Sequence, residues 1–532
     1  MTMQVRTDRK NMKKITLLFF TLLATSILCA QTTWYVSTTG LNSNSGASAS
    51  NAFATVNQAI SVSSCGDSIY VLGGIYHEKI NAYSICPDNN RIIIQGDISS
   101  RPLIIGDSTV TNKYAISASG QGFTFRYLEL TSPYPNICSQ SNMVVVGSGD
   151  FMSFIDLIIR NSGYDGMKTT SDCSSSNWAN NWKVIDCQII NNGLGCPSSI
   201  QNGDGIDFTN CHNCQIIGTK ILNNRGHQLQ IKLEARNVTV ENCRIEGKLL
   251  FQIGLTGSTP QCDATALNAD SVFFRHNIII AKGDSSEFIF KLADVSHLVI
   301  ENNTVIKDSI SFANVGFICF GGCASSSNWL NTPQSPIVIQ NNIFANMSTT
   351  LFFAGPDTSY FDPFGITFTN VTDNYNLFYD VNGEFTLPVD GGTSSLVGNP
   401  LFCDYPNSFE LTSNSPCINS GDPTSPLEPD GTQNDIGAKY YHTPCNVGIN
   451  NSINVINPFD IYPNPANQTL SIFCSNNQSA KQQIQVYDAV GLLIKEFEIL
   501  QPTEIDISNL PSGLYFIHLK NDPQFYRKII KL

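Results

Sequence analysis

Short runs in which apolar and polar residues alternate recur between about residues 90 and 350, each closing on asparagine or glycine. "NWKVIDCQIINNG" (181–193), "NCQIIGTKILNNRG" (213–226), "NVTVENCRIEGK" (237–248), "HLVIENNTVIKD" (297–308) and "PIVIQNNIFAN" (336–346) follow one template. Alternation with period two marks a strand with one buried face. Asn213 and Asn237 stand 24 positions apart, and Asp204 and His227 stand 23 apart, with longer steps where insertions such as "STPQCDATALNAD" (258–270) intervene. A period in the low twenties, short strands and asparagine corners predict a coiled β solenoid, in which stacked turns bury a continuous core. Asparagine tolerates the left-handed backbone of a corner and can ladder with its counterparts on neighbouring turns. A β-sandwich would place its turns every 8–12 residues without a repeated asparagine corner.

The pattern changes near the C-terminus. Residues 446–457, "NVGINNSINVIN", are polar and unpatterned, which reads as a linker. Residues 458–532 then alternate over several strands joined by short turns, which predicts a small β-sandwich. At the other end, Lys13 and Lys14 precede an apolar stretch from Ile15 to Leu28, and Ala30 offers a cleavage point. Residues 1–30 therefore read as a secretory signal whose apolar core is too short to span a bilayer, and no later run predicts a transmembrane segment.

Composition narrows the partners. Of 532 residues only 14% are charged, against about 25% in ordinary soluble domains. Losing residues 1–30 removes five basic residues and one acidic, moving the net charge from −13 to −17. So acidic a chain is not built for nucleic acid. Seventeen cysteines, sixteen without Cys29, suit disulfides in an exported chain. Cys173 with Cys196, and Cys319 with Cys323, are candidate pairs. Cys211-x-x-Cys214 is half of a metal or redox motif and lacks a second half.

Two resemblances follow from quoted residues. "WYVSTTGLNSNSGASASNAFATVNQAISVSSCGDSIYVLGGIYHE" (34–78) resembles the N-terminal cap of exported right-handed parallel β-helix proteins of the pectate-lyase-like group, with a helix around "ATVNQAI". "IIIQGD" (92–97) resembles the strand that follows it, and residues 395–438 resemble the closing segment. The resemblance implies an all-β, right-handed parallel β-helix over residues 31–445. "YPNP" (462–465), "YDAVGLLI" (487–494), "LPSGLYFIHL" (510–519) and the tail "RKIIKL" resemble the type IX secretion C-terminal sorting domain. That family implies a Bacteroidetes-type host, passage through the type IX machinery, removal of this domain, and a protein released or anchored at the outer surface.

The candidate chemistry lies on three strands that can be overlaid: "DGMKTT" (165–170), "DGIDFT" (204–209) and "HQLQIKLE" (227–234). Alternation points Met167, Ile206, Phe208, Leu229, Ile231 and Leu233 inward. Lys168, Asp207 and Gln230 form one outward column, and Thr170, Thr209 and Lys232 the next. Asp165, Asp204 and His227 line the strand entrance. With strands about 4.8 Å apart, Lys232 should lie roughly 8 Å diagonally from Asp207. Carboxylates beside lysines suit β-elimination from a uronate polymer: a calcium ion neutralises the substrate carboxylate, and an amine removes the proton beside it. Asp165, Asp204 and Asp207 are the candidate metal ligands. Lys232, Lys168, His227 and Arg225 are the candidate catalytic residues.

"DGID" resembles the calcium-site strand of family 9 pectate lyases, although their base column holds Gln230 here and residue 203 is glycine. "LQIKLEARN" resembles the base strand of family 6 lyases without their upstream glutamates. "NGDGID" and "RGH" resemble parts of the family 28 polygalacturonases without their double-aspartate strand. The expected function is action on acidic polysaccharide, as a calcium-assisted lyase in its sharpest form. Non-catalytic glycan binding or adhesion, and a polygalacturonase-type hydrolase, are the alternatives. Trp178, Trp182 and Trp329 are possible sugar-stacking residues. Asp430 and Asp435 in "DGTQNDIGA" read as turn residues that could also take calcium.

Overall fold

The computed structural model describes residues 31–170, 179–197, 202–254, 269–282, 289–292, 295–308, 318–320, 337–346, 352–353, 371–379 and 394–442. Beyond these it describes short segments between 459 and 531. It divides into two compact units, residues 1–445 and 446–532.

The first unit is a right-handed parallel β-helix, built from three parallel sheets through which the chain passes in turn. One sheet runs from Thr33–Val36 to Val371–Asn374, a second from Ile75–His77 to Leu396–Val397, and a third from Ile80–Ala82 to Phe352–Phe353. Within each sheet a strand pairs in register with its equivalent one coil later, as Lys183–Ile185 pairs with Gln215–Ile217. Inward side chains therefore stack on their own kind. Phe125 and Phe154 lie 5.4 Å apart and nearly parallel, Trp182 follows at 5.0 Å from Phe154, and Phe251 stacks on Phe290 at 4.5 Å. Trp182 is fully buried in this stack and donates its indole N–H to the Gly149 carbonyl at 2.6 Å, so it is a core residue and not a sugar-stacking one. Trp178 and Trp329 lie outside the described residues. The first coil is covered by the expected helix, Val56–Val62, whose first turn is capped by Thr55 and which buries Val56, Ala59 and Ile60.

The corners carry the polar logic. Between the first and second sheets, the residue entering the corner adopts positive φ in coil after coil: Asp156, Asp186, Gly218, Asn242, His276, Asn302, Asn341 and Tyr375. The next residue turns its side chain into the stack. Asn303 shows the pattern: its amide donates to the Phe274 and Glu301 carbonyls, and its own N–H donates to Asn342 Oδ1 at 2.9 Å. Asn277, Asn342 and Asn376 repeat these bonds. Earlier in the chain Cys187, Thr219 and Cys243 hold the same column with a thiol or hydroxyl, as when Cys243 Sγ donates to the Ile216 and Glu241 carbonyls. A second, shorter ladder of Asn192, Asn224 and Gln228 lines the corner between the second and third sheets.

The expectation of disulfides is met, although several cysteines stay unpaired. Cys187, Cys211, Cys214, Cys243 and Cys417 are buried thiols, and Cys211 and Cys214 face the core. Burial pushes the Cys187 and Cys243 thiols up to about 12, which removes the thiolate that metal binding or exchange needs. Disulfides join Cys65 to Cys86 and Cys138 to Cys196, so Cys196 does not pair with Cys173. Cys173 and Cys323 lie outside the described residues. Asp430 and Asp435 take turn roles: Asp430 accepts from Thr432, and Asp435 accepts from the Asn419 and Tyr441 N–H groups.

The second unit is a β-sandwich. A three-stranded antiparallel sheet (Phe459–Tyr462, Thr469–Cys474, Thr503–Asp506) and a four-stranded one (Gln482–Asp488, Leu493–Ile499, Gly513–Leu519, Asp522–Lys531) share a core that includes Leu470, Ile484, Val486, Ile517 and Ile529.

Asn342→Ala strips the Asn303 N–H and the Ile300 carbonyl of a buried partner at once. Each stranded group costs about 1–3 kcal/mol. The full chain should unfold at a clearly lower temperature, whereas Gln340→Ala, at the outward-facing end of the strand just before this corner, should lower the midpoint much less. Thermal melts followed by circular dichroism check this.

Candidate active site

The third sheet displays the candidate residues. Strands Met167–Thr169, Ile206–Thr209 and His227–Lys232 pair in parallel, with Lys168 beside Asp207, Asp207 beside Gln230, and Thr209 beside Lys232. The columns are those read from the sequence. One inward assignment fails: the strand ends at Lys232, and Leu233 and Glu234 turn the corner with φ of +52° and +64°, so Leu233 is half-exposed and not a core residue.

Glycines set the entrance column. A Cβ on Gly166 would sit 2.6 Å from the Asn192 amide, and one on Gly205 2.6 Å from that of Asn224. The asparagine ladder therefore requires glycine directly after Asp165 and after Asp204. Asp165 Oδ1 accepts the N–H groups of Gly203 at 3.2 Å and Asp204 at 2.9 Å, and Asp204 Oδ1 accepts the His227 N–H at 2.7 Å. These bonds fix both carboxylates at the mouth of the strands.

The groups close into a ring. Lys168 Nζ bonds Asp207 Oδ2 and lies 3.7 Å from Asp165 Oδ2. Lys232 Nζ reaches Asp207 Oδ1 at 3.1 Å and also bonds Gln230 Oε1. Gln230 Nε2 meets His227 Nδ1 at 2.9 Å, and His227 returns to Asp204 through its backbone. Lys232 is thus closer to Asp207 than strand spacing alone suggests, because its long side chain leans back over the sheet. All three aspartates are nearly fully buried, while the lysine side chains keep 21% and 13% of their surface exposed and form the solvent-facing side of the ring.

The environments push the carboxylates apart. Burial opposes ionisation of Asp207, but the Lys168 and Lys232 ammoniums outweigh it and hold Asp207 down to about 2. Burial and then the Asp204 charge push Asp165 up to about 8, and burial and the Asp207 charge push Asp204 up to about 7. Lys168, though buried, is held above the usual lysine range by Asp207 and Asp165, which keeps it charged.

The remaining candidates separate. His227 is buried, 1% exposed, so it orients others and does not reach solvent. Lysine can only donate, so its bond to Gln230 Oε1 turns the Gln230 NH2 toward His227 Nδ1. Nδ1 then accepts from Gln230, and it also lies 3.5 Å from Asp204 Oδ1. Arg225 is exposed, and its Nε donates to the Cys196 carbonyl at 3.3 Å, in the loop pinned by the Cys138–Cys196 disulfide and not in the ring. Sequence reasoning noted Gln230 only as the occupant of a base column and missed its role as the link between Lys232 and His227. The signal was the alternation "HQLQIK", which places a glutamine outward between two buried aliphatics.

The site suits a hard cation. One oxygen from each of Asp165, Asp204 and Asp207 lies within 4.8 Å of the others, the sole grouping of this kind among the described residues. Asp165 Oδ2 is buried and accepts no hydrogen bond. Oxygen-only donors with excess negative charge are what calcium selects.

Residues 460–532 match the family described as secretion system C-terminal sorting domain. The protein is accordingly an exported one, secreted or attached at the outer surface, and no described helix is long and apolar enough to cross a membrane. No curated protein matches the chain. Solved structures similar to it include pectate lyase Pel9A, at 14% identity over 77% of this chain and 97% of that one, with a TM-score of 0.49. An alginate lyase from Paenibacillus sp. str. FPU-7 is 16% identical over 60% and 95%, with a TM-score of 0.38. A rhamnogalacturonan lyase is 13% identical over 76% and 95%, with a TM-score of 0.37. At such scores no residue role is carried over.

Two outcomes test this geometry. Nitrogen chemical shifts of His227 should show Nδ1 accepting a hydrogen bond, and Gln230→Ala should change the Nδ1 shift. The second concerns pH. Asp165 and Asp204 have folded values above their ordinary 3.8, so in chelator they favour folding least once both are ionised: stability falls as pH rises from about 4 to about 8. Asp207, depressed, adds stability above about 4 that is lost on acidification toward 2. Calcium should therefore raise the unfolding midpoint more at about pH 8 than at about pH 5, and Asp165→Asn should shrink that difference.

Proposed function

We propose that this protein is a polysaccharide lyase that cleaves uronate-containing glycan by β-elimination. The observation that carries the reading is the ring itself: three buried carboxylates and two lysines converging on the outer face of one sheet. Asp165, Asp204 and Asp207 would hold a calcium ion, which when bound neutralises the substrate carboxylate and acidifies the adjacent carbon.

The chain's own residues divide the remaining work. Lys232 is the base: its Nζ lies at the exposed edge of the ring, aimed by Asp207 Oδ1 and Gln230 Oε1. Having released a proton to solvent, the Lys232 amine takes the proton from the carbon beside the uronate carboxylate and so regains the ammonium form in which it pairs with Asp207. The electron pair left behind forms a carbon–carbon double bond as the glycosidic oxygen departs and takes a proton from solvent. Lys168, locked against Asp207 and Asp165 and held charged, is a counter-ion and not a base. His227 and Gln230 hold the geometry behind Lys232. Oxygens grouped within 4.8 Å do not provide the separation of about 6.5–9.5 Å that an inverting hydrolase needs for its water, which weighs against the polygalacturonase reading.

The full chain, incubated with pectate, alginate and glycosaminoglycan, should generate ultraviolet-absorbing unsaturated ends from one of them. The rate should fall in chelator. Lys232→Ala should lower it at least about a hundredfold, the span of general-base catalysis, while Lys168→Ala should lower it less. Bound glycan with no unsaturated product, with or without calcium, would overturn the lyase reading and leave glycan binding or adhesion.

A further inference from the structure

The third sheet continues beyond the ring toward the N-terminal cap, and its outer face there is laid out for a ligand. In the column that holds Lys168 and Asp207, register places Val146, then Ser117, then Asn81 on the preceding strands Val145–Gly147, Ile116–Ala118 and Ile80–Ala82. Val146 is buried and Ser117 and Asn81 are half-buried, so only short side chains lie along this column between Lys168 and the first strand of the sheet. At its far end stands Tyr83, one residue past the strand Ile80–Ala82, with 55% of its surface exposed. Its hydroxyl bonds Ser117 Oγ on the neighbouring strand at 3.2 Å, which lays the ring across two strands.

An exposed aromatic ring tethered to the neighbouring strand is costly to leave bare, and it offers an apolar surface with a polar rim. Asn81 and Ser117 supply hydrogen-bonding groups beside it. From Asp207 to the ring is three to four strands, or roughly 14–19 Å at the usual spacing of about 4.8 Å. The stretch is thus several sugar units long and shares its column with Lys168 and Asp207.

We propose that Tyr83, with Ser117 and Asn81, forms a remote stacking subsite for a linear acidic polysaccharide lying along the third sheet with its reacting unit at Lys232. This rests on the polysaccharide reading above but not on the lyase chemistry. Tyr83 binds a sugar ring several units from the bond that is cut, so it contributes to affinity for long chains and to nothing at the reacting centre.

The test uses the full chain carrying Lys232→Ala, which keeps oligosaccharide intact during titration. Oligogalacturonides and oligoalginates of increasing length are titrated by calorimetry. Affinity should rise with length until the oligomer spans the distance to Tyr83. Tyr83→Ala should lower the affinity of the long oligomers roughly 3–10-fold, as loss of one aromatic contact does, and leave that of the short ones unchanged. Tyr83→Phe should keep most of the gain. Equal affinity of the Tyr83→Ala and parent chains for long oligomers would overturn the subsite while leaving the polysaccharide reading standing. No binding of any oligomer to the parent would overturn both.

Discussion

A parallel coil has to turn a corner in every rung, and each corner brings backbone N–H and carbonyl groups inside where no strand partner exists. The chain answers with a side chain that imitates backbone. Asn277, Asn303, Asn342 and Asn376 each donate to carbonyls behind and accept from the amide one coil earlier. A buried amide that is fully bonded stabilises modestly, while one left bare is heavily penalised. The ladder therefore works as a register lock more than as a source of net stability. A one-residue slip in any strand would strand several of these bonds and turn the phenylalanine stack to solvent.

The same lock builds the site. The second ladder, through Asn192, Asn224 and Gln228, presses on the positions after Asp165 and Asp204 and allows only glycine there. The two aspartates are thereby held at equivalent points of successive coils, one strand spacing apart, where their backbone partners fix the carboxylate orientation. Once they are fixed, Asp207, Lys168 and Lys232 follow from register alone. The separation of like charges in the ring is set by the β spacing, and cannot relax without breaking the ladder. Burial opposes ionisation of all three and aspartates this close also repel, which is why two of them are pushed toward the neutral form while the third, held by two ammoniums, stays ionised.

These relations decide what could be read from sequence. "NN" at the end of "QIINN", "ILNN", "VIENN" and "VIQNN" revealed the coil, because corner and ladder positions are adjacent and both favour asparagine. The outward columns of Lys168, Asp207 and Lys232 followed from period two. Leu233 was misjudged because alternation gives no notice of where a strand stops, and two non-glycine residues with positive φ end it there. Cys187 and Cys243 cannot be told from disulfide cysteines beforehand, because a thiol standing in an asparagine column looks, in sequence, like any other cysteine. Trp182 sits beside a loop in sequence but continues the Phe125–Phe154 stack in space. The approach of Lys232 to Asp207 was invisible for a different reason: strand spacing fixes Cα positions, and a four-carbon side chain can lean across a rung.

A solenoid of this kind separates fold from chemistry unusually cleanly. The ladders and the phenylalanine stack lie inside and restrict each position to apolar side chains or to small polar ones that bond the backbone, whereas each outward position answers chiefly to its neighbours above and below. Carboxylates and lysines can be placed or removed on that face with little consequence for the core, so similarity of coil between two such proteins says little about what either does. The chemistry open to this chain is set by its own outward columns. Here Asp207, itself 1% exposed, bridges two lysines whose remaining exposed surface is the only solvent-facing part of the ring. Two ammoniums balance Asp207 and part of Asp165, yet one buried oxygen of Asp165 still accepts no hydrogen bond. Stability alone would favour replacing such a cluster with apolar groups of similar volume. Its persistence at the open face of an otherwise apolar stack makes sense if a cation and an acidic ligand complete it.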